Sequence, residues 1–183
     1  QFYLNRGLAI ADLGAYLSPK KCAEQLAANV EGAAKNARSG AEKTWAKGLQ
    51  GLSLTQNSIV EPDQTEKVKL LRQALEAFAV VEKSAPQDAD EYRALLLHHG
   101  GAHLQIGSYL DRKTQQEQIR KHLGAAIDIA KRLIEKFPHR RHPEWALILR
   151  GNAEEDHGLF LGEIAGYQRG MEQFSAAYDE ADR

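Results

Sequence analysis

The sequence predicts an all-α protein, a solenoid of four antiparallel helix pairs. Three observations predict it. Apolar residues recur at spacings of three and four, and no stretch alternates apolar and polar residues with the period of two that a strand needs. Val and Ile are thin against Ala, Leu, Glu, Lys and Gln, which favour helix. The apolar pattern also returns in phase along the chain.

Eight helices are expected, at about 2–16, 20–37, 41–57, 64–84, 89–110, 113–137, 142–161 and 164–182. Pro19, Pro62, Pro86, Pro138 and Pro143 stand where one apolar pattern stops or the next begins, as residues that break the helical ladder should. In the fourth segment Val68, Leu71, Ala74, Leu75, Phe78 and Val81 fall on one stripe. In the sixth, Ile119, Leu123, Ala126, Ile127, Ala130, Leu133 and Ile134 do the same, so both stripes must be buried.

A slide of 52 residues superposes Gly48 on Gly100, Leu54 on Ile106, Leu71 on Leu123, Ala74 on Ala126, Val81 on Leu133 and Pro86 on Pro138. A slide of 51 carries Gly100 to Gly151, Leu123 to Phe174 and Ala126 to Ala177. At the start, Gly7, Leu13, Gly14 and Tyr16 match Gly100, Ile106, Gly107 and Tyr109. The chain is therefore read as one domain, 1–183, with repeats at about 1–40, 41–88, 89–140 and 141–183. Each pair has an apolar face that only a neighbouring pair can cover.

Gly100-x-Ala102-x-x-x-Ile106-Gly107-x-Tyr109, followed by Ala126-x-x-x-Ala130-x-x-Leu133-x-x-x-x-Pro138, resembles the tetratricopeptide repeat (TPR). The resemblance implies a right-handed superhelix, close helix approach at the glycine and alanine positions, and a concave face lined by first helices. Standard repeats run to about 34 residues. The excess here lies around Ser58–Asp63 and Asp111–Gln116, which implies lengthened helices like those of repeats attached to bacterial CHAT proteases and signalling ATPases.

Composition bounds the function. Lys plus Arg is 24 and Asp plus Glu is 25, a net charge of −1, so bulk charge recruits neither nucleic acid nor an anionic membrane. No apolar run approaches the roughly 18 residues of a membrane span. Cys22 is the one cysteine, which excludes an internal disulfide and the Cys-based zinc modules, and a buried, unreactive role is expected for it. The compartment stays open, cytoplasmic being the expectation. Gln1 in place of Met leads to the expectation that the chain was cut from something longer or processed.

The resemblance implies a non-catalytic interaction, sensor or scaffold module without a cofactor, binding a protein or peptide in the concave face. Its groove positions fall near Leu4, Leu8, Asp12, Trp45, Leu49, Ser53, Leu97, Gly101, Gln105, Ile148, Asn152, Glu155 and Asp156. Of the basic and amide groups that the family's carboxylate-gripping variant needs, only Asn152 is present. Apolar character in the first half and acidity at Glu154, Glu155 and Asp156 suit an apolar or basic helical segment. Trp45 and Trp145 are expected in the core, or as partner anchors if exposed.

The alternative is a small metal-dependent enzyme. His99 and His103 are four apart and can share a helical face, the spacing of paired zinc-binding histidines, with Glu154 or His157 as a third ligand. Packing is the plainer role for them. The run His139-Arg140-Arg141-His142 is read as a helix cap and solvated turn. At the far end Phe160, Leu161, Met171 and Phe174 lack a covering helix, so another domain of the parent or a second copy is expected there.

Overall fold

The computed structural model describes residues 2–12, 17–137 and 144–181. It consists of eight helices: α1 (Phe2–Asp12), α2 (Pro19–Asn36), α3 (Gly40–Val60), α4 (Gln64–Ser84), α5 (Asp90–Tyr109), α6 (Gln116–Lys136), α7 (Glu144–Leu161) and α8 (Ile164–Ala181). Among the described residues there is no strand. None of these helices is long and apolar enough to cross a membrane. Leu13, Gly14, Tyr16, Pro138, Pro143 and the basic run 139–142 lie outside the described residues.

Local chemistry sets the boundaries. Ser18 caps α2, accepting from the Lys21 amide at 3.3 Å, with Pro19 in the first turn where its missing N–H costs nothing. Ser39 and Glu42 form a capping box on α3, and Asp63 caps α4 through the Glu66 amide at 2.9 Å. The expected connector Ser58–Asp63 is shorter than the sequence suggests, because α3 continues through Val60. Thr55 Oγ1 donates to the Gly51 carbonyl and Ser58 Oγ to the Thr55 carbonyl, so both hydroxyls are satisfied within the helix. Pro62 then disfavours helix at Glu61. The start of α6 shifts the other way, from 113 to Gln116. The Asp111 carboxylate accepts from the Lys113 and Thr114 amides and the Thr114 hydroxyl, and this turn holds the chain out of helix.

The chain divides into two compact units, Gln1–His98 and His99–Arg183, the division falling inside α5. In the first, α1 packs on α2 and α3, α2 on α3, and α3 on α4. Leu71, Ala74, Phe78 and Val81 are buried as expected, as are Leu26, Cys22 and Ile10 under α1. Phe78, at 2% exposure, is worth about 1.5–3 kcal/mol of apolar burial. In the second unit α6 packs on α7 and α7 on α8. Leu123, Ala126, Ile127 and Leu133 are buried there, Ala126 and Ile127 clustering with Ala153 and Leu104.

Glycines set how closely the helices approach. A Cβ on Gly7 would strike Leu49 of α3 and Asn29 of α2, and one on Gly48 would strike Leu95 of α5 and Val81 of α4. One on Gly100 would come within 2.5 Å of Leu149 Cδ2 on α7 and 3.1 Å of Ile129 on α6. Each of these odd-numbered helices thus offers a notch to a leucine of the next odd-numbered helix and to the helix in between. That shared use of Gly7, Gly48 and Gly100 fits a helical repeat. Gly151, paired with Gly100 by the slide, receives the Phe174 ring instead, as Gly51 receives Phe78. At the α7–α8 hairpin the backbones themselves touch, since a Cβ on Gly158 would lie 2.6 Å from the Tyr167 nitrogen. Gly162, at φ 69°, takes the left-handed turn between them, and the Glu163 amide reaches back to the Gly158 carbonyl at 2.9 Å.

Candidate functional site

Three places hold the residues that the sequence singles out. In the first unit the start of α1, the end of α2 and the start of α3 line a half-open cavity of about 210 Å³. Its walls are Phe2, Tyr3, Leu4, Ala33, Ala37, Trp45, Ala46 and Leu49, with Asn36 and Glu42 as polar members. Tyr3 is fixed from three directions. Its carbonyl accepts from Asn29 Nδ2 at 2.5 Å, its hydroxyl accepts from Asn36 Nδ2 at 3.2 Å, and its ring fills the space left by Gly32. Glu42 Oε2 accepts from the Ser39 and Arg38 amides at 2.8 and 2.9 Å and from the Ser39 hydroxyl. Those bonds, the Ser39 amide first, hold its carboxyl below the usual range, so the cavity has a carboxylate in its lining at neutral pH.

Two expected groove residues, Trp45 and Leu49, therefore meet here, in different roles. Trp45 is half-buried, whereas Leu49 and Leu4 are each 1% exposed and form the cavity floor. Leu49 reaches the core as well as the cavity, because it packs against the Gly7 notch. Ser53 is also buried, and Leu97 is half-buried. Phe2, at 71% exposure, is a rim residue that sequence reasoning missed for lack of any periodic signal at a helix start.

In the second unit, Gln105, Glu155 and Asp156 are half-buried and Asn152 is exposed. Asp156 accepts from Ser108 Oγ at 3.1 Å. Trp145 is 37% exposed and not a core residue, because it stands in the first turn of α7. Glu154 is 5% exposed and joins α7 to α8: Arg169 Nε donates to its Oε2 at 3.0 Å, and Arg150 Nε lies 3.7 Å from its Oε1. A carboxylate held between two guanidiniums is an ion-pair element, and these contacts account for its burial.

The third place is a run of imidazoles. His99, at 8% exposure, has its ring centroid 5.2 Å from that of His103, and His103 lies 5.1 Å from His122 of α6. His103 Nδ1 and His122 Nδ1 are 2.9 Å apart, a hydrogen bond in which one nitrogen donates and the other accepts. Burial, then the charges of His99, His122 and Lys121, push the His103 pKa down to about 3. His103 thus partners His122, which sequence reasoning passed over because its i, i+4 search looked along one helix. Among the described residues no three His, Cys, Asp or Glu side chains come together as a metal-holding group. His157 is half-buried.

No family model matches the chain, and no curated protein and no solved structure matches it either.

Proposed function

We propose that the chain is a non-catalytic protein-interaction module, a TPR-like, long-helix solenoid of four helix pairs in a right-handed superhelix. It takes an apolar side chain of a basic helical segment into the cavity beside Trp45. The observation that carries this reading is the cavity itself, in which a half-buried tryptophan, an exposed phenylalanine and a capped carboxylate border an apolar floor. An aromatic anchor beside an apolar pocket is the arrangement from which interface hot spots are made. The Glu42 charge favours lysine or arginine beside the anchoring residue. The recurring glycine notches support the repeat reading, because a TPR-like first helix needs the same close approach.

The test uses Trp45 as its own reporter, in a Trp145→Phe background. A panel of helical peptides carries one Leu, Phe or Trp flanked by Lys, by Glu or by Ser. Lys-flanked members should change Trp45 emission saturably and Glu-flanked members should bind at least tenfold more weakly. Trp45→Ala, followed by calorimetry, should lose binding by about 30-fold or more, the scale of a hot spot. Saturation by no peptide up to millimolar concentration would refute the reading.

A further inference from the structure

We propose that the α7–α8 hairpin carries a second recognition surface, an apolar face bordered by carboxylates that receives an amphipathic helix of a partner protein flanked by lysine or arginine. It is independent of the cavity beside Trp45. The face consists of Ile148 and Leu159 of α7 and Ile164, Tyr167, Met171 and Tyr178 of α8. All six are large, hydrophobic and exposed, Ile164 at 77% and Tyr178 at 70%. Exposed apolar residues scattered singly are ordinary, whereas a group of them on one hairpin marks an interaction surface.

Helix geometry puts the six on one side. On α7 the residues that meet α8 are Gly151, Glu155 and Gly158, and on α8 those that meet α7 are Gly166, Gly170 and Phe174. Counting about 100° per residue in the sense of rising residue number, Ile148 and Leu159 stand roughly 60° past the contact line of α7. In the same sense Ile164, Tyr167, Met171 and Tyr178 stand roughly 60–130° past the contact line of α8. In an antiparallel pair the same sense of turn leads both helices to the same side. Arg150 and Arg169 stand about 100° away in the other sense, on the opposite side. There both reach Glu154, Arg169 Nε at 3.0 Å from Oε2, an observed cross-helix contact that agrees with the count. The core takes other residues: Leu149 turns to Gly100 of α5, and Ala153 to Ala126 and Ile127 of α6. Phe174 fills the space at Gly151, and Phe160 lies under Arg120 of α6.

Charge selects the occupant. The only lysine or arginine residues of α7 and α8 are Arg150 and Arg169, both placed at Glu154. The ionic side chains that the two helices bring to the apolar face are therefore carboxylates. Glu155 stands in the seam between the helices, Asp156, which accepts from Ser108 Oγ, at the α7 margin, and the exposed Glu172 and Asp179 along the outer margin of α8. A second copy of this face would set carboxylates against carboxylates, whereas lysine or arginine flanks complement them. Ile164, Tyr167, Met171 and Tyr178 keep the three-and-four spacing of a helix-packing seam. From Ile164 to Tyr178 that seam is about 21 Å long at 1.5 Å per residue, so the occupant is a helix of about four turns.

The experiment follows the emission of Trp145, one turn before Ile148 on the same side, in a Trp45→Phe background that silences the other cavity. Eighteen-residue helical peptides carry Leu at heptad a and d positions and Lys, Gln or Glu at the flanking e and g positions. The Lys peptide should saturate the Trp145 change, and the Glu peptide should bind at least tenfold more weakly. Ile164→Glu/Met171→Glu, at exposed positions and with helix content checked by circular dichroism, should weaken the Lys peptide at least tenfold. Glu172→Gln/Asp179→Asn, which removes charge alone, should narrow the difference between Lys and Glu peptides at least threefold. Light scattering on the chain alone tests the second copy as occupant. No saturation by the Lys peptide up to 1 mM, equal affinity for Lys and Glu peptides, or undiminished affinity in the folded Ile164→Glu/Met171→Glu variant would overturn the proposal. So would a dimer of the unaltered chain that this variant dissociates.

Discussion

Replacing Gly158 by Ala tests the closest approach in the second unit. The added Cβ would lie 2.6 Å from the Tyr167 nitrogen and 2.7 Å from the Gly166 carbonyl carbon, against an ordinary contact of about 3.5 Å. Both neighbours are backbone, so no rotamer change makes room. The helices must part by close to an ångström, which weakens dispersion along the contact and loosens Gly170 from the Gly151 carbonyl. Overpacking of this kind costs about 1–3 kcal/mol or more. Ala offsets up to about 1 kcal/mol through its helix propensity. The expected result is a net loss of about 1–2 kcal/mol. Gly124→Ala is the control: it also sits inside a helix, but no atom lies within 4 Å of its added carbon, so it should gain up to about 1 kcal/mol. Urea unfolding at pH 7, followed by Trp145 emission in a Trp45→Phe background, reads the second unit. Equal stability of the two alanine variants would refute the close-contact argument.

Three further outcomes follow from burial and charge. Ala126→Leu, at a position with 0% exposure, should cost about 1–3 kcal/mol in urea unfolding, and an unchanged midpoint would contradict the packing of α6. Glu154→Ala should destabilise by about 2 kcal/mol, below the usual figure for a buried pair because the Arg169 side chain is 44% exposed and can be rehydrated. Adding Arg169→Ala to it should cost little more, and a fully additive second loss would show that the pair does not act as one. Burial pushes the Cys22 thiol pKa up, and the residue is 0% exposed with its Sγ donating to the Ile10 carbonyl at 3.5 Å. It should react with a disulfide reagent at pH 8 only in urea, and rapid labelling of the folded chain would show that α1 does not cover it.

The helices were legible because their signals are local. Stripes such as Leu71, Ala74 and Phe78 report a buried face through spacing alone, and capping residues such as Ser39 and Asp63 sit beside the boundaries they make. The His103–His122 contact joins residues 19 apart on two helices, and nothing at either position marks the partner. The partner of Glu154 was hidden for a similar reason. Beside His103 in the repeat alignment Glu154 looks like a ligand, but its charge is answered by Arg169, from a helix that the slide brings into no relation with it.

The glycine notches bear on where recognition can occur. Gly7, Gly48 and Gly100 each admit a leucine of the next odd-numbered helix, namely Leu49, Leu95 and Leu149, which are 1%, 1% and 6% exposed. A substitution at any of these six positions changes the spacing of helices before it changes a surface, so they set geometry and leave little freedom for contact with a partner. The freedom lies a turn away. Trp45 precedes the Gly48 notch by three residues, which holds its backbone firmly while its ring stays at the cavity wall. A rigid backbone carrying a half-exposed aromatic loses little entropy on binding. A partner contact at Trp45 should therefore be sensitive to the Gly48 notch. Gly48→Ala, which forces Leu95 aside, should weaken peptide binding even though residue 48 is not in the cavity lining. Unchanged affinity in a folded Gly48→Ala variant would show that the notch and the cavity act independently.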